Sequence, residues 1–254
     1  TIGTADDDVA TFTGGVDVTA ATGTVTLAGA INTTDTAMDF GAVELADGTT
    51  FDSGDGAAGT IVVGDITSNS HEMSFDSGQQ AGATITVGAI EDISGGLTLV
   101  DAGDAVQFGA LGQTTDGAVT VTDSQGLVTF AGAVDATTLE VTDSQAGVTF
   151  DGTVTATTLT LTDTDAAAAI TFNGDVTATT LTAGGSEEHA LAFNEDVTIT
   201  NDVTFGAIGD VTIGTADDDV ATFTGGVDAT SATGTVTLAG AINTVDTAMD
   251  FGNV

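Results

Sequence analysis

Three aspartates, Asp123, Asp143 and Asp163, recur twenty residues apart, each closing a short apolar run of the same pattern. Carboxylates brought to equivalent turns repel one another unless they are protonated or bridged by a cation. Ca²⁺, a hard ion that takes about six to eight oxygen ligands, would suit a groove of aspartates, threonine hydroxyls and backbone carbonyls. Two more acidic groups invite the same chemistry. They are Asp6-Asp7-Asp8 with its copy Asp217-Asp218-Asp219, and the set Glu187, Glu188, Glu195 and Asp196. The competing reading is a series of solvated acidic turns served by diffuse counterions. No EF-hand loop is present, and Gly14-Gly15-Val16-Asp17 is too short to count as the Gly/Asp nonapeptide calcium motif. His71 and His189, the two histidines, lie in no ligand-spaced cluster and are expected to pack at the surface or at corners.

The segments that carry these carboxylates repeat. Val128-Thr-Phe130-Ala-Gly-Ala-Val134, then Ala136-Thr-Thr-Leu139-Glu-Val141-Thr-Asp143, returns as Val148-Thr-Phe150-Asp-Gly-Thr-Val154, then Ala156-Thr-Thr-Leu159-Thr-Leu161-Thr-Asp163. A third copy runs Ile170-Thr-Phe172-Asn-Gly-Asp-Val176, then Ala178-Thr-Thr-Leu181, and Phe193 marks a fourth. The phenylalanine spacings of 20, 22 and 21 residues are the period of a stacked solenoid. Within a copy the apolar residues alternate with threonine, which reads as half-buried strands. Gly132, Gly152 and Gly174 follow the phenylalanines, where a chain leaving a strand needs a permissive backbone. One coil cannot bury its inward face alone. Stacking the next coil on it, about 4.8 Å away, seals Val, Leu and Phe into a continuous core. The expected fold is all-β: a parallel β-helix, or β-solenoid, with coils of 20–22 residues forming an elongated rod. Tandem immunoglobulin-like sandwiches would also give a long all-β array. The short period and the lack of any Trp or Tyr anchor argue against them.

A longer repeat encloses the short one. Residues 1–43 return as residues 212–254, an offset of 211, with four differences: Val18/Ala229, Ala20/Ser231, Thr34/Val245 and Ala42/Asn253. The expected organisation is one full unit, 1–211, of about ten coils and roughly 50 Å, continuous with the start of the next unit at 212–254. Val25-Thr-Leu27-Ala-Gly-Ala-Ile31 echoes Val128 to Val134. Asp52-Ser-Gly and Asp76-Ser-Gly look like turns after Phe51 and Phe75.

Charge sets the strongest exclusions. The chain has 38 acidic residues and no Lys or Arg. Spread over about twelve coils, that is one negative charge per ~1.6 Å of axis, against ~1.7 Å for duplex DNA. Such a rod must gather counterions and repels nucleic acid and anionic membranes. The surroundings must supply cations as salt or divalent metal, which fits an extracellular setting at a cell surface or in a matrix. No apolar run approaches the ~18 residues of a membrane span, so insertion in a membrane is not expected. Nor is an enzyme. β-Helices that act on acidic polysaccharides hold substrate with basic residues, and none exist here. Paired carboxylates could hydrolyse a neutral glycan, yet no pair is singled out. The chain contains no cysteine, which excludes disulfides and thiolate metal sites.

Outward threonines form rows, with Thr158, Thr160 and Thr162 above Thr138 and Thr142. They fit β-propensity on a solvated face. A flat Thr-x-Thr array also resembles ice-binding solenoids, although Glu140 interrupts the row. Asn32-Thr-Thr34 is an N-glycosylation sequon, but its copy reads Asn243-Thr-Val245.

The Val-Thr-Phe-x-Gly-x-Val-x-Ala-Thr-Thr-Leu coils resemble the β-helical shafts of large secreted bacterial surface proteins of the filamentous-haemagglutinin type. The resemblance covers Leu127 to about Thr200. It implies a long rod on a cell surface that presents an adhesive tip or forms a matrix. The function expected from all this is structural: the repetitive shaft of an extracellular filament, sheath, surface layer or giant adhesin. Its expected partners are copies of itself, end to end and side by side, and cations. The alternative is a binding module, either a calcium-dependent adhesin or an ice-binding face.

Overall fold

A computed structural model describes residues 1–112, 117–162, 165, 168–185 and 188–252. The chain winds about eleven turns of about 22 residues, and every strand pairs in parallel with the strand one turn away. That pairing excludes tandem sandwiches, whose sheets are antiparallel. Among the described residues there is no helix.

Each turn in the middle of the chain has three inward-facing strips, which we call facets. Facet one is Val128–Phe130, stacked on Val148–Phe150 and then on Ile170–Phe172. Facets two and three are the two halves of one long strand, Val134–Val141, which pairs residue for residue with Val154–Leu161 and Val176–Ala183. The Ala-Thr-Thr-Leu sequence makes the bend between them. Ala136 and Leu139 point inward and are buried, while both Thr137 and Thr138 face outward, so the period-2 alternation slips by one residue. Most polar side chains sit outside, and most Val, Leu, Ile and Phe pack inside, in one unbroken core from Val25 to Val236.

The core takes its bulk from phenylalanine. Rings of Phe108, Phe130, Phe150, Phe172 and Phe193 stack along facet one with centroids 4.7–5.3 Å apart. Nearer the start, Phe51 and Phe75 stack on facet three instead, 4.9 Å apart and nearly parallel. Edge contacts of Phe75 with Phe108 and of Phe40 with Phe51 carry the aromatic fill across the interior where it changes facet.

Gly132, Gly152 and Gly174 do stack at the corner after facet one, but for a different reason than the one expected. Their backbones are not left-handed. A Cβ on Gly152 would lie 2.5 Å from the carbonyl carbon of Gly132 and 2.6 Å from its oxygen. The corner needs glycine because the coils approach one another too closely there for a side chain.

The likeness of Val25–Ile31 to Val128–Val134 is one of sequence: Val25–Thr33 is a single strand with an irregularity between Leu27 and Gly29, whereas a corner parts Val128–Phe130 from Val134–Val141. The facets differ. Val25 pairs with Val43, in a column that runs through Ile66, Ile90 and Leu111, whose N–H bonds the carbonyl beside Val134. Val25 is therefore on facet two, whereas Val128 is on facet one.

Candidate functional site

Where the chain leaves facet three, the same dipeptide recurs. In Asp52-Ser53, Asp76-Ser77, Asp123-Ser124 and Asp143-Ser144 the serine turns in and is fully buried. Ser77, Ser124 and Ser144 donate their hydroxyls to the carbonyls of Ala83, Gly126 and Gly147. The aspartates turn out. Strand register joins Asp52 to Asp76 and Asp76 to Asp101. Gln125 N–H bonds the carbonyl of Ala102, and Gln145 N–H that of Ser124, so Asp123 and Asp143 occupy the next two places. One acidic column thus runs Asp52–Asp76–Asp101–Asp123–Asp143, a carboxylate per coil over five coils.

Sequence reasoning found Asp123 and Asp143 and missed the three below them. The shared Asp-Ser signal was present at Asp52 and Asp76, but unequal loops hid the alignment. Asp163, the expected third rung, lies outside the described residues.

The column is electrostatically uneven. Burial first, then the carboxylates of Asp123 and Asp76, push Asp101 up to about 6, against the Gln79 side chain and the Ala102 N–H. Burial also raises Asp76, helped by Asp52 and Asp55 and opposed by the Gly78 N–H. The Oδ1 atoms of Asp101 and Asp123 are enclosed and accept no hydrogen bond from the protein. Gln79 reaches across two coils to donate its Nε2 to Asp123 Oδ2 at 2.9 Å.

A carboxyl with a raised folded pKa holds its proton better folded than unfolded. Its destabilising effect is therefore full above about pH 6 and is relieved as pH falls toward the unfolded value near ~3.9. Asp101→Asn is expected to raise the melting temperature at pH 7.5 by roughly 2–4 °C, about 1 kcal/mol after allowing for screening at a site water still reaches. The gain should shrink as pH falls from 6 to 4. Thermal melts of both proteins across that range check it, and an equal gain at pH 4 would trace the effect to packing.

The other expected acidic sites are not brought together in the same way. Asp8 closes its own turn: its Oδ2 accepts the Thr4 N–H, the Thr4 hydroxyl and the Ala5 N–H. Those bonds, the Thr4 N–H first, hold it below the usual carboxylate range. Asp219 repeats the turn with Thr215 and Ala216, whose N–H groups lower it likewise. Asp6, Asp7, Asp217 and Asp218 are exposed beside these turns. Glu188 and Glu195 are exposed, Asp196 accepts the Val220 N–H, and Glu187 lies outside the described residues. Among the described residues, no group of three or more histidines or carboxylates is arranged to hold a metal ion. His71 stands at the surface, its Nδ1 3.7 Å from Asp47 Oδ1. His189 is fully buried ahead of the Ala190–Phe193 strand.

Comparison with protein-family models, curated proteins and solved structures finds no match. The chain's own geometry has to carry the functional reading.

Two surface features complete it. Threonines fall in columns as expected, with Thr138, Thr158 and Thr180 aligned, and Glu140, Thr160 and Thr182 beside them. At the bend between facets two and three, Thr155, Thr157, Thr177, Thr179 and Thr200 border a shallow furrow of about 320 Å³ floored by Ala156 and Ala178. A cleft of about 470 Å³ opens near the start of the chain, lined by Asp6, Thr49, Glu72, Ser74 and Thr98 over several glycines. Among the described residues no helix is long and apolar enough to cross a membrane.

Proposed function

We propose that this chain is the shaft of an extracellular filament, sheath, surface layer or giant adhesin, with the task of supplying length. The observation that carries this reading is the unbroken parallel stack from Val25 to Val236, built from a sequence that starts again at residue 212 almost unchanged. A spacer needs repetition and stiffness, whereas a catalytic cleft needs residues that occur once. The charge supports the same setting. With 38 carboxylates, no Lys or Arg, and Asp101 and Asp123 holding enclosed, unpartnered oxygens, the rod calls on cations from its surroundings. Diffuse counterions suffice for most of the surface. A divalent ion bridging neighbours in the acidic column, Ca²⁺ above all, is the specific form of that demand.

The threonine columns favour a second reading, a binding face for an extended ligand. Glu140 and the bend at Thr137-Thr138 interrupt its flatness, and so the shaft is preferred.

Electron cryo-microscopy of the native material tests the proposal. Thin rods with a strong axial spacing of ~4.8 Å are expected. Isolated short particles with free ends and no longer filament would remove the shaft role. Melting the same material with and without chelator in moderate salt separates the cations: an unchanged transition leaves diffuse counterions alone.

A further inference from the structure

Over the described residues, the two copies of residues 1–43 have nearly the same local structure and occupy different sides of the rod. Val16 pairs with Met38, and from there facet one climbs through Ile61, Ile85, Val106, Val128, Val148, Ile170, Leu191 and Val211 to Val236. The copies of Val16 and Met38 are Val227 and Met249. These two pair with each other and with Val203, in a separate small sheet. That sheet continues facet three, because Ala183 bridges Phe205 and Phe205 N–H bonds the Asp228 carbonyl.

The other segments shift in step. Ala10 and Phe12 pair with Ile31 and Thr33 on facet three, in the column that leads to Phe51, Phe75, Leu99, Val121 and Val141. Their copies Ala221 and Phe223 pair with Val197 and Ile199 on facet two, above Val176, Val154 and Val134. Val25 lies on facet two, yet its copy Val236 lies on facet one. All three pieces have moved by one facet in the same direction. The 211-residue repeat is therefore one facet short of ten coils, nine turns and two-thirds.

We infer that successive units turn their surfaces one facet at a time, so that an array of them is a threefold screw. The inference rests on the reading of this chain as part of a longer shaft. In such an array a given furrow, cleft or acidic column returns to the same side only in every third unit. A partner that recognises a single unit, a second copy of this chain included, is then met in turn on three sides of the rod. A planar ligand laid along one side would meet the threonine furrow only in every third unit.

The chain has no cysteine of its own, so engineered pairs can report the rotation. Thr222, the copy of Thr11, faces outward beside Thr198. If the unit were a whole number of coils, Thr222 would instead sit on facet three beside Gly206, because Ala10, the residue before Thr11, lies in the column that reaches Phe205. Neighbouring positions on adjacent parallel strands lie within the Cα separation a disulfide spans. We expect Thr198→Cys/Thr222→Cys to oxidise as fully as a reference pair inside one unit, Thr155→Cys/Thr177→Cys, which are adjacent on facet two. Gly206→Cys/Thr222→Cys should give no intramolecular link. Digestion at aspartate followed by mass spectrometry reads all three, since tryptic sites are lacking. Linkage of 206 to 222, or failure of 198 with 222 where the reference pair links, overturns the rotation. Failure of the reference pair would overturn the register it is read from. Loss of the shaft role by microscopy would leave the cross-link result standing, so the two ideas fail separately.

Discussion

Phe150→Ala is expected to lower stability by roughly 3–5 kcal/mol, the range for removing a buried aromatic ring without refilling its space. The Phe150 ring is fully buried. It stacks on Phe130 at 4.9 Å and 4° and on Phe172 at 4.7 Å and 6°. Truncation therefore removes two aromatic contacts together with the ring's own burial. Collapse to fill the gap is restricted, because the coils above and below are held by parallel hydrogen bonds on all three facets. In a solenoid each coil touches only its neighbours, so the damage should stay local. Hydrogen exchange should show lost protection in the coils carrying Phe130 and Phe172, and near-normal protection around Phe51 and Phe223. Uniform loss over the whole chain would mean that the rod melts as one unit.

Gly152→Ala is expected to cost about 2 kcal/mol or more, although alanine ordinarily stabilises relative to glycine by restricting the unfolded chain. The added methyl would meet backbone atoms of Gly132 and Ala133 at 2.5–2.6 Å, and backbone cannot swing aside as a side chain could. The coils must separate at this corner, which lengthens the Asp151 N–H bond to the Phe130 carbonyl, 2.9 Å in the intact protein. Gly14→Ala is the matching control, since nothing stands within 4 Å of the place its Cβ would take. Denaturant melts of the two variants should diverge, with only the Gly152 change shifting the midpoint downward. Equal behaviour would mean that the corner has room to spare.

The coil itself was legible because its signal is simple. Val-x-Phe and Leu-x-Val alternation marks the inward positions of facets one and three, and phenylalanine at a near-constant interval fixes the stack between Phe130 and Phe193. The glycines were legible as corner residues but not in their cause, since a tight approach between coils leaves the same letter in the sequence as a left-handed turn. The acidic column was half legible. Asp123 and Asp143 are twenty residues apart and align at sight. Asp52, Asp76 and Asp101 are separated by longer and unequal loops, and Asp101 is followed by alanine where the others have serine. The rotation between units was the least accessible feature. It depends on a third of a coil accumulated over ten, smaller than the drift caused by coils of 20 to 25 residues. Strand register alone resolves it.

The hydrogen bonds that join one coil to the next run along the length of the rod, as with Val128 N–H to Gly147 and Val134 N–H to Thr153. A pull on the two ends therefore loads these bonds in series, with no bond shared between distant coils. Each is worth only about 0.5–1.5 kcal/mol, and the terminal coil has the fewest neighbours. Under tension the chain would peel one coil at a time, each step freeing on the order of 70 Å of backbone for a turn of ~22 residues. A stack of this build would lengthen in small increments under load and rewind from the intact end when the load is removed.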